Sequence, residues 1–166
     1  SGVFEYASNP AITEYVSWDA HQSVADSVRF IESVIEGYHA DKPPNWGVVE
    51  KSGGKVIGTA GFIAHDKTHR SAEIGYVLSE QYWNKGYMSE AVGEILRFGF
   101  ENLQLNRIQA KCIVENAASE KVMQKNGMTY EGTLRQVLFE KGRFVSLRVY
   151  SILQHEWREL VSSCPT

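Results

Sequence analysis

Ser71-Ala72-Glu73-Ile74-Gly75-Tyr76-Val77-Leu78, then Ser79-Glu80-Gln81, then Tyr82-Trp83-Asn84-Lys85-Gly86-Tyr87-Met88 and a run to about Asn102, decide how this chain is organised. The first eight residues alternate Glu73, Gly75 and Val77 against Ile74, Tyr76 and Leu78, the two-residue period of a strand. From Ser89 onward, Ala91, Val92, Ile95, Leu96, Phe98 and Phe100 cover much of a helix circumference, as in a helix packed under a sheet. Gly86 therefore stands where a strand hands over to a helix N-terminus. Backbone N–H groups there lack intrahelical partners and the helix dipole is positive, which suits a phosphate or pyrophosphate. Glycine lets the backbone approach such an anion closely. A tight turn alone would also explain a single glycine, and the residues leave both readings open.

Toward the C-terminus, Ile108 to Val114 reads as a strand reached through that helix, so a right-handed crossover onto a parallel neighbour is expected. A short helix follows from Asn116 to Lys125, ended by Asn126-Gly127. Two long strands, about 129–139 and 144–153, are joined by Glu140-Lys141-Gly142-Arg143. Toward the N-terminus, Trp46–Glu50 and Lys55–Ile63 flank the turn Lys51-Ser52-Gly53-Gly54, a hairpin signal. Lys55–Ile63 is apolar on both alternating sets and should lie inside the sheet, with 64–70 as a polar connection. Val24, Val28, Ile31 and Ile35 recur at helical spacing between Gln22 and His39. Ser23 can cap that helix, with Asp26 at the capping-box spacing. Residues 41–45 then break the chain. Val3 to Ala7 reads as a last helical turn stopped by Ser8-Asn9-Pro10, with no strand before it. One α+β domain spanning 1–166, with a mixed sheet, fits throughout.

The 166 residues carry 17 Lys+Arg against 20 Asp+Glu, a net charge of −3, and 43% hydrophobic residues. That composition excludes a disordered chain and gives no footprint for nucleic-acid binding. No apolar run approaches the roughly 20 residues that span a bilayer, and the first residues lack the pattern of a signal peptide. A cytoplasmic globular domain is expected. Cys112, alternating with Ile108, Ala110 and Val114, reads as a buried thiol, and Cys164 stands alone in the tail. His65 and His69 lack a third ligand, so no metal site is expected. Neither G-x-x-x-x-G-K-[ST] nor G-x-G-x-x-G occurs before a helix.

Ala72–Leu78 followed by Tyr82-Trp83-Asn84-Lys85-Gly86-Tyr87-Met88-Ser89-Glu90-Ala91 resembles the acyl-CoA-binding motif of the GNAT superfamily of N-acetyltransferases. Asn106-Arg107-Ile108, Asn116-Ala117-Ala118-Ser119 and Lys125-Asn126-Gly127-Met128 resemble the family's next strand and helix in order and spacing. The chain is most similar to the branch that acetylates N-termini of ribosomal proteins. The resemblance implies a GNAT fold, with a sheet splayed between strands 71–78 and 108–114 and acetyl-CoA in the cleft. Trp83 and Met88 depart from the usual Q/R-x-x-G-x-G/A loop. Family members begin with a strand and helix before the point where this chain starts, so an exposed sheet edge or a homodimer is expected.

Acetyl transfer needs a neutral amine, a donor for the developing oxyanion and a proton for the leaving thiolate. The resemblance implies that backbone N–H groups near Val77 and Leu78 hold the pantetheine. It assigns those of Lys85, Gly86, Tyr87, Met88 and Ser89 to the pyrophosphate, with Lys85 adding charge. Glu73 is the candidate base; a strand glutamate paired with Arg or Lys is the alternative. Asn116 would bond the pantetheine or cap its helix, and could do both. The position of the tyrosine acid found in many relatives holds Met123, which has no proton to give, and the resemblance assigns that role to Ser119. Lys121 is the candidate for the 3′-phosphate, and Tyr15 and Trp18 for the acceptor. The expected activity is an acetyl-CoA-dependent N-acetyltransferase acting on a primary amine, either a protein N-terminus or a small molecule. The alternatives are a non-catalytic acyl-CoA-binding module and a partner-binding domain.

Overall fold

The structure is a computed structural model that describes residues 2–40 and 42–163; Cys164, and the Asp41 that opens the predicted chain break, lie outside the described residues. Two short helices come first, α1 (Gly2–Ala7) and α2 (Pro10–Thr13). Asn9 separates them: its side chain accepts from Ala11 N–H at 3.0 Å, and Pro10 supplies a first helical residue that needs no N–H partner. The expected capping box opens α3 (Val24–His39), with Asp26 accepting from Ser23 N–H at 2.8 Å.

Strands β1 (Asn45–Glu50), β2 (Lys55–Asp66) and β3 (Ser71–Leu78) form an antiparallel meander. Helix α4 (Tyr87–Glu101) carries the chain to β4 (Arg107–Ile113), which pairs parallel with β3. After α5 (Ala117–Lys125), the hairpin of β5 (Thr129–Glu140) and β6 (Arg143–Leu153) completes a sheet ordered β1-β2-β3-β4-β6-β5, and α6 (Gln154–Ser163) follows.

The two faces of the sheet are covered differently. Ile57, Phe62, Ile74 and Leu78 from the sheet pack with Val92, Ile95, Leu96 and Phe100 of α4, and with Ile108, Met123 and Ile152. Each such aliphatic side chain contributes about 1.5–3 kcal/mol on full burial. On the other face Val3, Tyr6, Ala7 and Ile12 of α1 and α2 pack with Val56, Val77, Trp18 and Trp83.

Three features differ from the sequence expectation. Residues 64–66 continue β2 instead of opening a polar connection, because a bulge lets Phe62 pair with Ile74 and Ala64 with Glu73. The extra residue, Ile63, breaks the alternation that would have marked the strand. Second, α2 and α6 were not foreseen; α6 is held by Trp157, whose ring lies 5.3 Å from that of Phe100. Third, the apolar stripe of α3 faces outward, with Val24, Val28, Ile31 and Ile35 38–50% exposed. The helix buries Ser27 and Gly37 instead.

The outer strands are tied by Glu131, which accepts from both Arg107 terminal nitrogens and from Ser151 Oγ at 2.8 Å. The Arg107 guanidinium, followed by Ser151, holds the Glu131 carboxyl down to about 2, against an ordinary value of 4.5. A carboxyl lowered by folding stabilises fully above its unfolded value and loses that contribution as pH falls through the folded one. Stability should therefore fall between pH 4.5 and 2, and Glu131→Gln should flatten that part of a denaturation-midpoint profile.

Candidate active site

The parallel ladder between β3 and β4 runs only from Ser71 opposite Arg107 to Ile74 opposite Ala110. Beyond it the strands diverge, leaving Gly75–Leu78 facing a gap. Ser79 N–H bonds Ile57 C=O at 2.7 Å, and Val77 stands opposite Thr59 of β2. Strand alternation then turns the N–H of Val77 toward β2 and those of Tyr76 and Leu78 into the gap. A cleft of about 1050 Å³ opens there. Its walls include Glu73, Val77, Leu78, Gly86, Tyr87, Met88, Ser89, Asn116, Ser119, Lys121, Tyr15 and Trp18. Among the site residues singled out from the sequence, Lys85 is outside this lining.

At one end of the cleft is the loop into α4. Asn84 and Gly86 adopt left-handed backbone, φ 58° and 88°, and Gly86 caps the helix. A Cβ placed on Gly86 would meet no atom within 4 Å, so the cradle is open. Gly86 C=O accepts from Glu90 N–H at 3.0 Å, the first turn of the helix. The N–H groups of Tyr87, Met88 and Ser89 precede the first residue that can bond within it. The Met88 side chain is buried in the core, so only its backbone belongs to the site. Trp83 Nε1–H donates to Leu78 C=O at 2.8 Å, which pins the loop to the end of β3. Lys85 extends over the Tyr82 ring, 5.7 Å from its centroid.

Across the gap, Asn116 Oδ1 accepts from Ser119 N–H at 3.0 Å and caps α5. Ser119 Oγ–H donates to the Tyr76 hydroxyl at 2.9 Å, and Tyr76 O–H donates to Ser119 C=O at 2.9 Å. Burial pushes the Tyr76 phenol far above its ordinary range, so it stays protonated. Met123 is fully buried behind this pair. Glu73 Oε2 accepts from Lys111 Nζ at 2.7 Å and from Gln109 Nε2 at 2.8 Å. Both contacts are to the same carboxylate oxygen.

The structure adds residues that the sequence did not single out. Tyr76 alternates with Ile74 and Leu78 and so reads as core; nothing local announces that its hydroxyl reaches α5. Lys111 reads as an ordinary strand lysine. His21, whose ring sits 5.5 Å from that of Trp18, is anchored by the buried Ser27 hydroxyl at 2.8 Å from its Nδ1. Leu134, Val137 and Leu138 reach the cleft from β5, 43 or more residues along the chain from Ala91. His69 bonds Asp66 at the far end of β2, and neither it nor His65 joins this site.

Residues 1–129 match the acetyltransferase (GNAT) domain family. The N-acetyltransferase YoaA of Bacillus subtilis (strain 168) is 32% identical over 152 residues, which cover 92% of this chain and 86% of that protein. A ribosomal-protein-serine acetyltransferase of Escherichia coli (strain K12) is 30% identical over 97 residues, 58% of this chain and 54% of that one. Among solved structures, the microcin C7 self-immunity acetyltransferase MccE in complex with acetyl-CoA and AMP superposes with a TM-score of 0.78. It is 27% identical, and the match covers 86% of this chain and 79% of that one.

Cys112 lies at the back of the cleft, 6% exposed, and burial beside Glu120 pushes its thiol up to about 11. At pH 7.5 such a thiol is roughly one part in 3,000 thiolate. In a Cys164→Ser variant, Cys112 should react with a disulfide reagent at least 100-fold more slowly in the native protein than after unfolding. An equal rate in both states would contradict the buried placement.

Proposed function

The chain belongs to the acetyltransferase (GNAT) domain family, and we propose that it moves an acetyl group from acetyl-CoA to a primary amine held in the same cleft. The observation that carries this reading is the early end of the β3–β4 ladder. It turns the N–H groups of Tyr76 and Leu78 into a gap that leads to the open helix N-terminus at Gly86. That arrangement fits a long acyl carrier with a pyrophosphate: strand-like hydrogen bonding along the gap, then an anion at the helix dipole. Acetyl-CoA supplies the activated acetyl group as a thioester.

The chain's own residues have separable tasks. N–H groups of Tyr87, Met88 and Ser89 receive the pyrophosphate, and Lys121 on the facing wall adds charge toward the 3′-phosphate. Lys85, turned over Tyr82, contributes only long-range charge. The N–H groups of Tyr76 and Leu78 hold the pantetheine, and one of them faces the thioester oxygen, where negative charge grows. Glu73, through the carboxylate oxygen not used by Lys111, takes the proton from the attacking amine. The N–C bond forms as the C–S bond breaks, and the sulfur gains a proton from Ser119 as that hydroxyl turns from the Tyr76 oxygen toward it. Ser119 then regains a proton from water, and Glu73 gives the amine proton to water. Asn116 keeps the first turn of α5 in register for that hydroxyl. Tyr15 and Trp18 line the acceptor side. The acceptor is a protein N-terminus or a small-molecule amine, and the kinship with ribosomal-protein acetyltransferases supports the former. The reaction belongs in the cytoplasm, where acetyl-CoA is available.

Calorimetric titration with acetyl-CoA should show about one site per chain, and primary amines should then release CoA. Absence of binding would overturn the proposal, while binding without release for any amine would favour a non-catalytic acyl-CoA-binding domain. Ser119→Ala should lower kcat about 10²-fold with acetyl-CoA affinity nearly intact, within the usual range for a lost acid. Glu73→Gln should lower kcat/KM by a similar factor with acetyl-CoA affinity nearly intact. An unchanged kcat/KM would mean that Glu73 only pairs with Lys111.

A further inference from the structure

The acceptor end of the cleft has a chemical character of its own. Ile63, Leu134, Val137 and Leu138 are large apolar side chains left 40–62% exposed, and all four line this one cavity. Two separate irregularities put them there. In β2 the bulge at Ile63 removes that residue from pairing. In β5 the register slips between Leu134 and Leu138, with Gln136 at φ 48° and its N–H bonded to Ser146 Oγ at 2.9 Å. A bulge disrupts its ladder locally and re-aims side chains. Here both re-aim apolar groups into the same space.

The wall is also held in position. At the tip of the β5–β6 hairpin, Lys141 Nζ donates to Thr13 C=O of α2, and Arg143 pairs with Glu115 at 3.6 Å. Beside Glu73, Gly75 stands opposite Gly61 of β2, and the Ile63 side chain packs over it. A Cβ on Gly75 would lie 3.0 Å from Ile63 Cγ2. The carboxylates of the cavity are largely matched already, Glu73 by Lys111 and Glu115 by Arg143, which leaves Glu140.

We infer that the acceptor is a single primary amine carried on a bulky apolar or aromatic body, with Ile63, Leu134, Val137 and Leu138 as its specificity wall. The amine nitrogen lies beside Glu73, and the apolar body covers the wall that begins at Ile63. A polyamine fits poorly along this wall, since its further ammonium groups would meet apolar side chains. This inference rests on the N-acetyltransferase reading above, and the transfer is the same one: one N–C bond formed, one C–S bond broken, and the amine proton matched by the proton that the sulfur gains.

The test is CoA release by the full chain at saturating acetyl-CoA from phenylalaninamide, leucinamide, glycinamide and spermidine, with a short peptide beginning in Phe beside them. Phenylalaninamide and leucinamide should exceed glycinamide and spermidine in kcat/KM by tenfold or more, within the range that apolar pockets discriminate. A peptide faster than phenylalaninamide would identify a protein N-terminus as the source of the amine; the reverse would identify a small molecule. Leu138→Ser, or Val137→Ser if the first variant folds poorly, should raise KM for phenylalaninamide several-fold more than it lowers kcat, with acetyl-CoA affinity retained. Preference for glycinamide or spermidine would overturn this inference and leave the N-acetyltransferase reading standing. No release from any amine by a chain that binds acetyl-CoA would overturn both.

Discussion

The rest of the site depends on where two parallel strands stop pairing. Backbone N–H and C=O groups are obligatory hydrogen-bonding groups, and leaving several without a partner is costly. Past Ile74 and Ala110, β3 and β4 separate while the cores on both sides stay packed. The separation exposes strand edge in the middle of a sheet, where a ligand with amide groups can take the place of a neighbouring strand. The cleft is arranged around that edge: the helix N-terminus at one end of the gap, the first turn of α5 across it, and the apolar side chains of β2 and β5 in the same lining.

Helix α5 is bonded on both sides of the gap and at the same time lines the cleft. Its first turn is fixed to β3 by the paired Tyr76 and Ser119 contacts and capped by Asn116. Its far side is fixed to β6, where Glu120 accepts from Tyr150 O–H at 2.6 Å and from Arg148. The Ser119 hydroxyl donates to the Tyr76 oxygen and Tyr76 donates back to Ser119 C=O, so two bonds fix this turn against β3. One short helix, lining the cleft with Ser119 and Lys121 and anchored by Met123 in the core, thus ties β3 to β6.

The apolar part of the cleft lining is built by irregular β structure. Bulges in β2 and β5 lie far apart in sequence, yet both deliver apolar residues to one cavity, and the hairpin tip is tied down to α2. Regular strands would have turned Ile63 and Val137 to solvent or into the sheet. The exposed apolar part of the cleft lining is therefore carried by departures from the regular ladder, while the loop at Gly86 uses a helix terminus.

The elements from Asn45 onward were largely legible in the sequence, because period-two and helical patterns, the Gly53-Gly54 turn and the Gly127 stop act locally. So was the loop at Gly86, since a glycine between a strand and a helix has a local physical meaning. The resemblance carried by residues 72–91 and 106–128 added the expected cleft, and the candidate residues other than Lys85 line it. What remained hidden needed contacts between distant segments. The outward stripe of α3 could not be read, since amphipathic spacing marks a face without saying what covers it. Tyr76 looked like core, Glu73 could have been free or paired, and Ile63, Val137 and Leu138 looked like ordinary strand residues. Strand order, the point where β3 and β4 part, and the bulges that aim those side chains depend on packing across the whole sheet, and only the tertiary structure decided them.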